Sequence, residues 1–391
     1  MKKIETDILV VGGGVAGFAA AMAASRAGTD ILLVDRHEAV GGNAVHSNVG
    51  TICGAYHHHK EGQDFLPVDH PFLKEVVAAL KLEPMDYHQG LVVAPYRVEQ
   101  LSAYLQKTLA SQQVKVWTEA EVIATETNET ELTHVRIDRQ GEQFEIHANQ
   151  YVDCSGRGVL SDLSGLEMLK SERYQMASQV FAVSGLTSSE AYSLEFSIKK
   201  SVVQDKNAAY EAVLKTISLV PGSLQDGTAS VKFTLPHEIT DEVSQHALNQ
   251  KGRAWSVRLF DWLVKCVPSF AAAKLEKIYP QVGIRIQQRS RGQYVLTEED
   301  VLSGRKFDSA NIKGTWPIEE WNQDSRVDLT DISDHGYFEI PVECLRSYRL
   351  DNLFLGGKNI SATDRAIASA RVIGTCLQTG FEAGTLASQQ L

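Results

Sequence analysis

Two mostly apolar runs, Asp7–Val11 and Asp30–Val34, flank an Ala-rich stretch near the start of the chain. Short unbroken runs rich in Val, Ile and Leu predict strands buried on both faces, as in a parallel sheet. Between them, Gly12-Gly13-Gly14-Val15-Ala16-Gly17 leads into Phe18–Ala27, whose small apolar side chains predict a buried helix closed by Gly28. The second run ends in Asp35. A strand, a glycine turn, a helix and a second strand ending in an acid form a dinucleotide-binding βαβ unit. Gly12 permits the tight turn, Gly14 lets backbone approach a pyrophosphate, and Gly17 lets helix and strand pack closely. The phosphates then meet free N–H groups at the positive end of the helix. Asp35 lies 18 residues past Gly17. That spacing suits a bond to a ribose 2′-OH and favours FAD or NAD over NADP.

The pattern continues as alternating elements. Arg36–Gly54 is too Gly-rich to predict a helix, and Gly41-Gly42 lets backbone lie close to a ligand. Helical spacing is expected over His70–Leu82 and over Val98–Ala110, where Val98, Leu101, Leu105 and Leu109 share a face. Val114–Trp117 and Glu121–Glu126 read as strands. Leu132–Asp138 and Gln143–Ala148 alternate around Arg139-Gln140-Gly141-Glu142, which predicts a hairpin. Gln150–Cys154 is another buried strand, entering Ser155-Gly156-Arg157-Gly158.

The character changes near Leu169. Thr187–Val220 reads as polar helix, Ala229–Leu235 as strand, and Ile239–Val267 as a long helix. Trp255, Leu259, Trp262 and Leu263 form a stripe on that helix which fits either core packing or a cavity wall. Asn352–Gly357 is again a strand ending in glycines, followed by an amphipathic helix from about Gly374 onward. Glycine-ended strands near both ends imply that the last segment rejoins the first. The expected architecture is α/β. A Rossmann-like nucleotide domain is split over residues 1–168 and 341–391, with an inserted α+β substrate or cap domain over 169–340.

Composition narrows the partners. A chain of 391 residues has room for two domains, and a net charge of −11 argues against nucleic acid. Met1-Lys2-Lys3 before an apolar stretch resembles a signal peptide, but Asp7 and the glycines interrupt that stretch and the first strand needs it. No run is long enough for a membrane span, so a cytoplasmic protein is expected. Five cysteines without a CxxC argue against a disulfide framework or dithiol pair. Seven of the twelve histidines fall between His37 and His88, including His57-His58-His59. Three adjacent side chains point in different directions, so no metal is expected there. His57 is a candidate general base, with a solvated loop as the alternative.

Taken together, the Gly12–Asp35 unit, Gly41-Gly42-Asn43, Tyr151–Gly158, Gly283–Tyr294, Glu339-Ile340-Pro341 and Asn352–Gly384 resemble the FAD-dependent oxidoreductase family of the glutathione-reductase-like flavoprotein type. Ser171–Pro280 carries no part of the resemblance. It implies that Gly12, Gly14, Val15, Ala16 and Gly17 hold the FAD pyrophosphate and Asp35 the ribose. Arg36 and Val122 would flank the adenine, and Gly41, Gly42 and Asn43 would line the ribityl chain and flavin. Cys154, Ser155 and Gly156 would close over the nucleotide, and Gly356 and Gly357 would meet the second phosphate. Gly374 and Thr375 would open a helix whose positive end faces the flavin. The chain departs from the family at Lys358, where Arg is common, and at Glu319-Glu320-Trp321, which lacks the family's His. Asn43 stands where relatives with covalent flavin carry their His.

The resemblance implies an enzyme that oxidises a small organic molecule at non-covalent FAD. Arg285 and Arg289 are candidates for an anionic substrate or for reduced flavin, with ion pairing as the bland alternative. There is one nucleotide fingerprint and no cysteine pair, which leaves the electron donor and acceptor open. Two other readings stand beside this one. The first is a flavin monooxygenase or halogenase acting on a biosynthetic intermediate, free or bound to a carrier or peptide. The second is a non-catalytic nucleotide-binding assembly protein.

Overall fold

The computed structural model describes residues 2–60, 62–172, 174–205, 211–237, 242–323 and 327–391. At its centre β1 (Lys2–Val11) pairs in parallel with β2 (Ile31–Val34) on one side and with Glu142–Asp153 on the other. Lys115–Trp117 extends the sheet beyond β2, and Leu353–Leu355 pairs with the inner half of Glu142–Asp153. The outer half of that long strand instead takes Leu132–Arg139 and then Ala120–Thr127, both antiparallel. The two strands expected over 143–148 and 150–154 are therefore one. Polar Asn149 and Gln150 look like a break, but pairing with β1 continues past them to Asp153. The hairpin turns on Gln140 and Gly141, both at positive φ (56° and 83°), as a two-residue turn with the strands' own twist requires.

The first helix, α1 (Val15–Arg26), packs against the C-terminal helix Ile373–Gln389. A Cβ at Gly380 would lie 2.1 Å from the Ala16 carbonyl oxygen, and one at Gly384 would lie 2.2 Å from that of Ala20. Only bare backbone lets two helices approach so closely. Their shared core also takes Ile286, Leu296, Ile312, Phe338 and Ile340.

A second sheet is antiparallel, in the order Ser218–Leu219, Ala229–Leu235, Ala177–Ser184, Lys274–Ile278. Helices Ala191–Gln204 and Glu242–Cys266 cover it. Leu259, Trp262 and Leu263 are buried there, so their stripe is core packing. This second core runs from Ala177 to Ile284, a narrower span than the 169–340 expected for an insert.

Three local expectations change. The helix expected over 187–220 is Ala191–Gln204 and a separate short helical turn, Glu211–Leu214, and Ser218–Leu219 is an edge strand. Residues 206–210 of that stretch lie outside the described residues, as do 238–241 at the start of the long helix. Gly42–His46 is a short helix despite its glycines, because Gly41 (φ +127°) turns the chain into it. No helix among the described residues is long and apolar enough to cross a membrane.

Candidate functional site

The glycine turn divides its work between packing and access. Gly12 has φ +98°, and a Cβ there would lie 2.6 Å from the Cys154 carbonyl oxygen. At Gly17 it would lie 1.8 Å from the Gly12 carbonyl oxygen. Gly14 differs. It caps α1 in extended backbone, with no side chain on the helix N–H groups. A Cβ there would have Gly42 Cα, 3.9 Å away, as its nearest neighbour. The first N–H groups of a helix lack internal partners, and here they open onto a cleft lined by Gly14, Val15 and Ala16. The second glycine loop is tied against the first: Gly41 N–H donates to the Gly13 carbonyl at 2.7 Å.

One end of the cleft lies between Asp35-Arg36-His37, Ala120-Glu121-Val122, and Ser155 with Arg157. Asp35 is buried and accepts from the Gly13 N–H at 2.5 Å and the His37 N–H at 2.8 Å. Burial pushes its carboxyl up. The His37 ring, 2.7 Å away, and these N–H groups outweigh burial and hold the pKa below its usual value. Asp153 is fully buried and builds the neighbouring loop, accepting from Ser155 N–H (2.9 Å), Ser155 Oγ (2.6 Å) and Leu160 N–H (2.8 Å).

From the turn the cleft continues toward the second sheet as a cavity of about 280 Å³. The Asn43 amide and the Lys358 ammonium both donate to the Ile284 carbonyl, at 3.0 and 2.9 Å. Burial pushes Lys358 down to about 8. Beyond it stand Ser178, Lys232, Arg285, Trp316, Glu319, Trp321 and Arg371. Arg285 lies over the Trp321 ring, 4.1 Å from its centroid, and donates to Ser178 Oγ at 2.7 Å and to the Met176 carbonyl. Burial and then nearby Arg371 press its guanidinium down to about 9, which leaves it charged at neutral pH. Burial also lowers Lys232, whose ammonium sits 5.2 Å from the Trp321 centroid. Arg371 pairs with Glu319 at 3.1 Å.

Of the residues singled out from sequence, Gly12, Gly14, Val15, Ala16, Asp35, Arg36, Gly41, Gly42, Asn43, Cys154, Ser155, Gly156, Gly357 and Arg285 line this cleft. Val122 lines its far end. Gly17, Gly356, Gly374 and Thr375 stand behind the wall. A Cβ at Gly356 would lie 2.7 Å from Cys154 Sγ, and one at Gly374 would lie 2.5 Å from the Gly54 carbonyl oxygen. Thr375 is fully buried, while its neighbours Val372, Ile373 and Cys376 face the cleft.

Two candidates need correction. Arg289 is 2% exposed and does not line the cleft. Its guanidinium pairs with Asp364 at 2.7 Å and donates to the Ala362 and Gln287 carbonyls. It is a structural tie. His57 packs edge-on against Tyr337, with centroids 5.5 Å apart, and also lies off the cleft. Sequence reading passed over Lys232, Glu319, Trp321, Lys358 and Arg371. Only Lys358 and the Glu319–Trp321 stretch gave a signal, as departures from the family pattern. Elsewhere, His134, Glu145 and His147 meet on the outer face of the sheet with ligand atoms within 4.8 Å of one another. Cross-strand pairing assembles that group.

The features so far define a class: a flavoprotein with a split nucleotide fold and a second sheet over its cleft. The sequence matches the FAD dependent oxidoreductase family over residues 7–391, and the chain belongs to that family, whose cofactor is FAD. None of the curated proteins matches it. Among solved structures, a geranylgeranyl bacteriochlorophyll reductase-like protein of Thermoplasma acidophilum is 12% identical with a TM-score of 0.50, covering 99% of this chain and 79% of that one. The myxobacterial chondrochloren halogenase is 14% identical (TM-score 0.45; 99% and 76% covered). The anhydrotetracycline hydroxylase of Streptomyces rimosus is 12% identical (TM-score 0.48; 99% and 63%). At these identities the likeness concerns the fold alone.

The site suits FAD on its own geometry. Gly14 leaves open the space that a Cβ would fill, the capless start of α1 faces that space, and Asp35 sits at the ribose distance along the chain.

Proposed function

We propose that the protein carries out two-electron oxidation of a small organic substrate at non-covalently bound FAD. One observation carries this reading: a single cleft joins the glycine turn to a polar chamber under the second sheet, so cofactor and substrate would share one continuous space. FAD, when bound, supplies the two-electron acceptor. The N–H groups at the start of α1 would orient the pyrophosphate, and Asp35 would hold the ribose. Lys358 and the start of the last helix line the same cleft and would offer positive charge to a flavin on reduction. Asn43 is engaged with the Ile284 carbonyl and offers no nucleophile for a covalent flavin link.

Purified protein should be yellow and should release intact FAD on denaturation. Anaerobic substrate should bleach it, with reoxidation by an acceptor completing turnover. Oxygen uptake that depends on NAD(P)H would turn the reading toward a monooxygenase. A colourless protein that takes up no FAD would refute it.

A further inference from the structure

We propose that the substrate is a small dicarboxylate, held as its dianion by Lys232, Arg285 and Arg371 against the Trp316–Trp321 wall. The inference names the substrate class of the cleft described above and rests on that reading. It starts from charge. Three cations and one carboxylate, Glu319, line this end, an excess of two positive charges in a half-buried chamber. Glu319 is engaged with Arg371. Among the described residues, neither Lys232 nor Arg285 has a carboxylate at ion-pair distance. Unpaired charges removed from water are costly unless something compensates them.

Lys232, Arg285 and Arg371 offer only donors, so a ligand that only accepts suits this end of the chamber, and ionised carboxylates do that. Lys232 comes from the second sheet, Arg285 from the segment after it, and Arg371 from the C-terminal end of helix Asp364–Ala370. Arg285 already donates to Met176 and Ser178, and Arg371 to Gln175 and Glu319, yet each guanidinium keeps further N–H groups, and two such groups on separate elements suit two separated carboxylates better than one compact anion. The indole faces take the carbon chain between them.

The test uses the FAD-bound protein. Malonate, succinate, glutarate and adipate are titrated in while flavin absorbance and binding heat are followed, with each dimethyl ester and inorganic phosphate as comparisons. At least one diacid should bind, and its diester should bind about a hundred-fold more weakly, roughly ten-fold for each of the two carboxylate charges removed. Lys232→Met and Arg285→Met should each weaken the diacid by about ten-fold or more. Lys232→Met should also raise the melting temperature without ligand, because it removes a desolvated cation with no carboxylate at ion-pair distance; a purely structural lysine would lower it. Flat titrations with every diacid, a diester or phosphate that binds as tightly, or a Lys232→Met variant with lower melting temperature and unchanged affinity would overturn the proposal. Failure of the wild-type protein to hold FAD is a separate result and would instead strike the cofactor reading.

Discussion

Replacing Gly14 by valine should empty the protein of FAD while leaving it folded. The backbone at Gly14 (φ −66°, ψ −177°) is extended and open to any L-residue. The added Cβ touches nothing closer than 3.9 Å. The cost to the fold is that of a poorer helix cap, about 1 kcal/mol, or a melting shift of a few degrees at most. The branch projects into the space where α1 N–H groups would meet phosphate oxygens. Losing two such charge-assisted bonds costs about 3–6 kcal/mol, roughly a hundred- to ten-thousand-fold in affinity. The assay is the ratio of flavin to protein absorbance after desalting, with circular dichroism as the folding control. Gly17→Ala is the contrast: its Cβ would lie 1.8 Å from a backbone oxygen, so it should unfold the protein rather than merely empty it. A folded Gly14→Val protein carrying FAD at wild-type stoichiometry would refute the placement of the cofactor.

Other outcomes follow from the same geometry. Asp35→Asn should weaken FAD by about ten- to a hundred-fold, measured by fluorescence on titration of apoprotein. The folded pKa of Asp35 lies below the ordinary 3.8. Its stabilising effect is therefore complete above that pH and fades as pH falls through the folded value, an acid limb the variant should lack. Lys358 titrates near 8 instead of 10.5. The unfolded chain thus binds more protons between those values, and ligand-free stability should rise with pH across that window in wild type but not in Lys358→Met. Arg289→Met should cost about 3 kcal/mol in denaturant melts through loss of a buried ion pair, while the fraction that remains folded keeps its FAD.

The nucleotide half was legible because its chemistry is backbone chemistry written in small residues. Gly12 and Gly17 announce their geometry because any Cβ there would collide with backbone, and Gly14 and Asp35 by their spacing from them. The substrate half was not. Lys232 looks like any solvent-facing position of an alternating strand, and only the register that sets it above Trp321 gives it a task. Arg285 and Arg289 look equivalent in GIRIQQRSRG, yet four residues in irregular chain turn one into the chamber and the other into the packing against Asp364. His57 drew attention by its neighbours His58 and His59, but repetition carries no information about where a ring points.

The close approach of Gly380 and Gly384 to Ala16 and Ala20 also bears on biosynthesis. During synthesis, the apolar flank of α1 waits uncovered while hundreds of residues are added, and it is sealed only when residues 373–389 have left the ribosome. The mononucleotide-like unit at the start of the chain should therefore gain little stability until that helix covers it. Flavin acquisition should follow translation rather than accompany it, and nascent chains stalled before residue 373 should depend on chaperones and remain colourless.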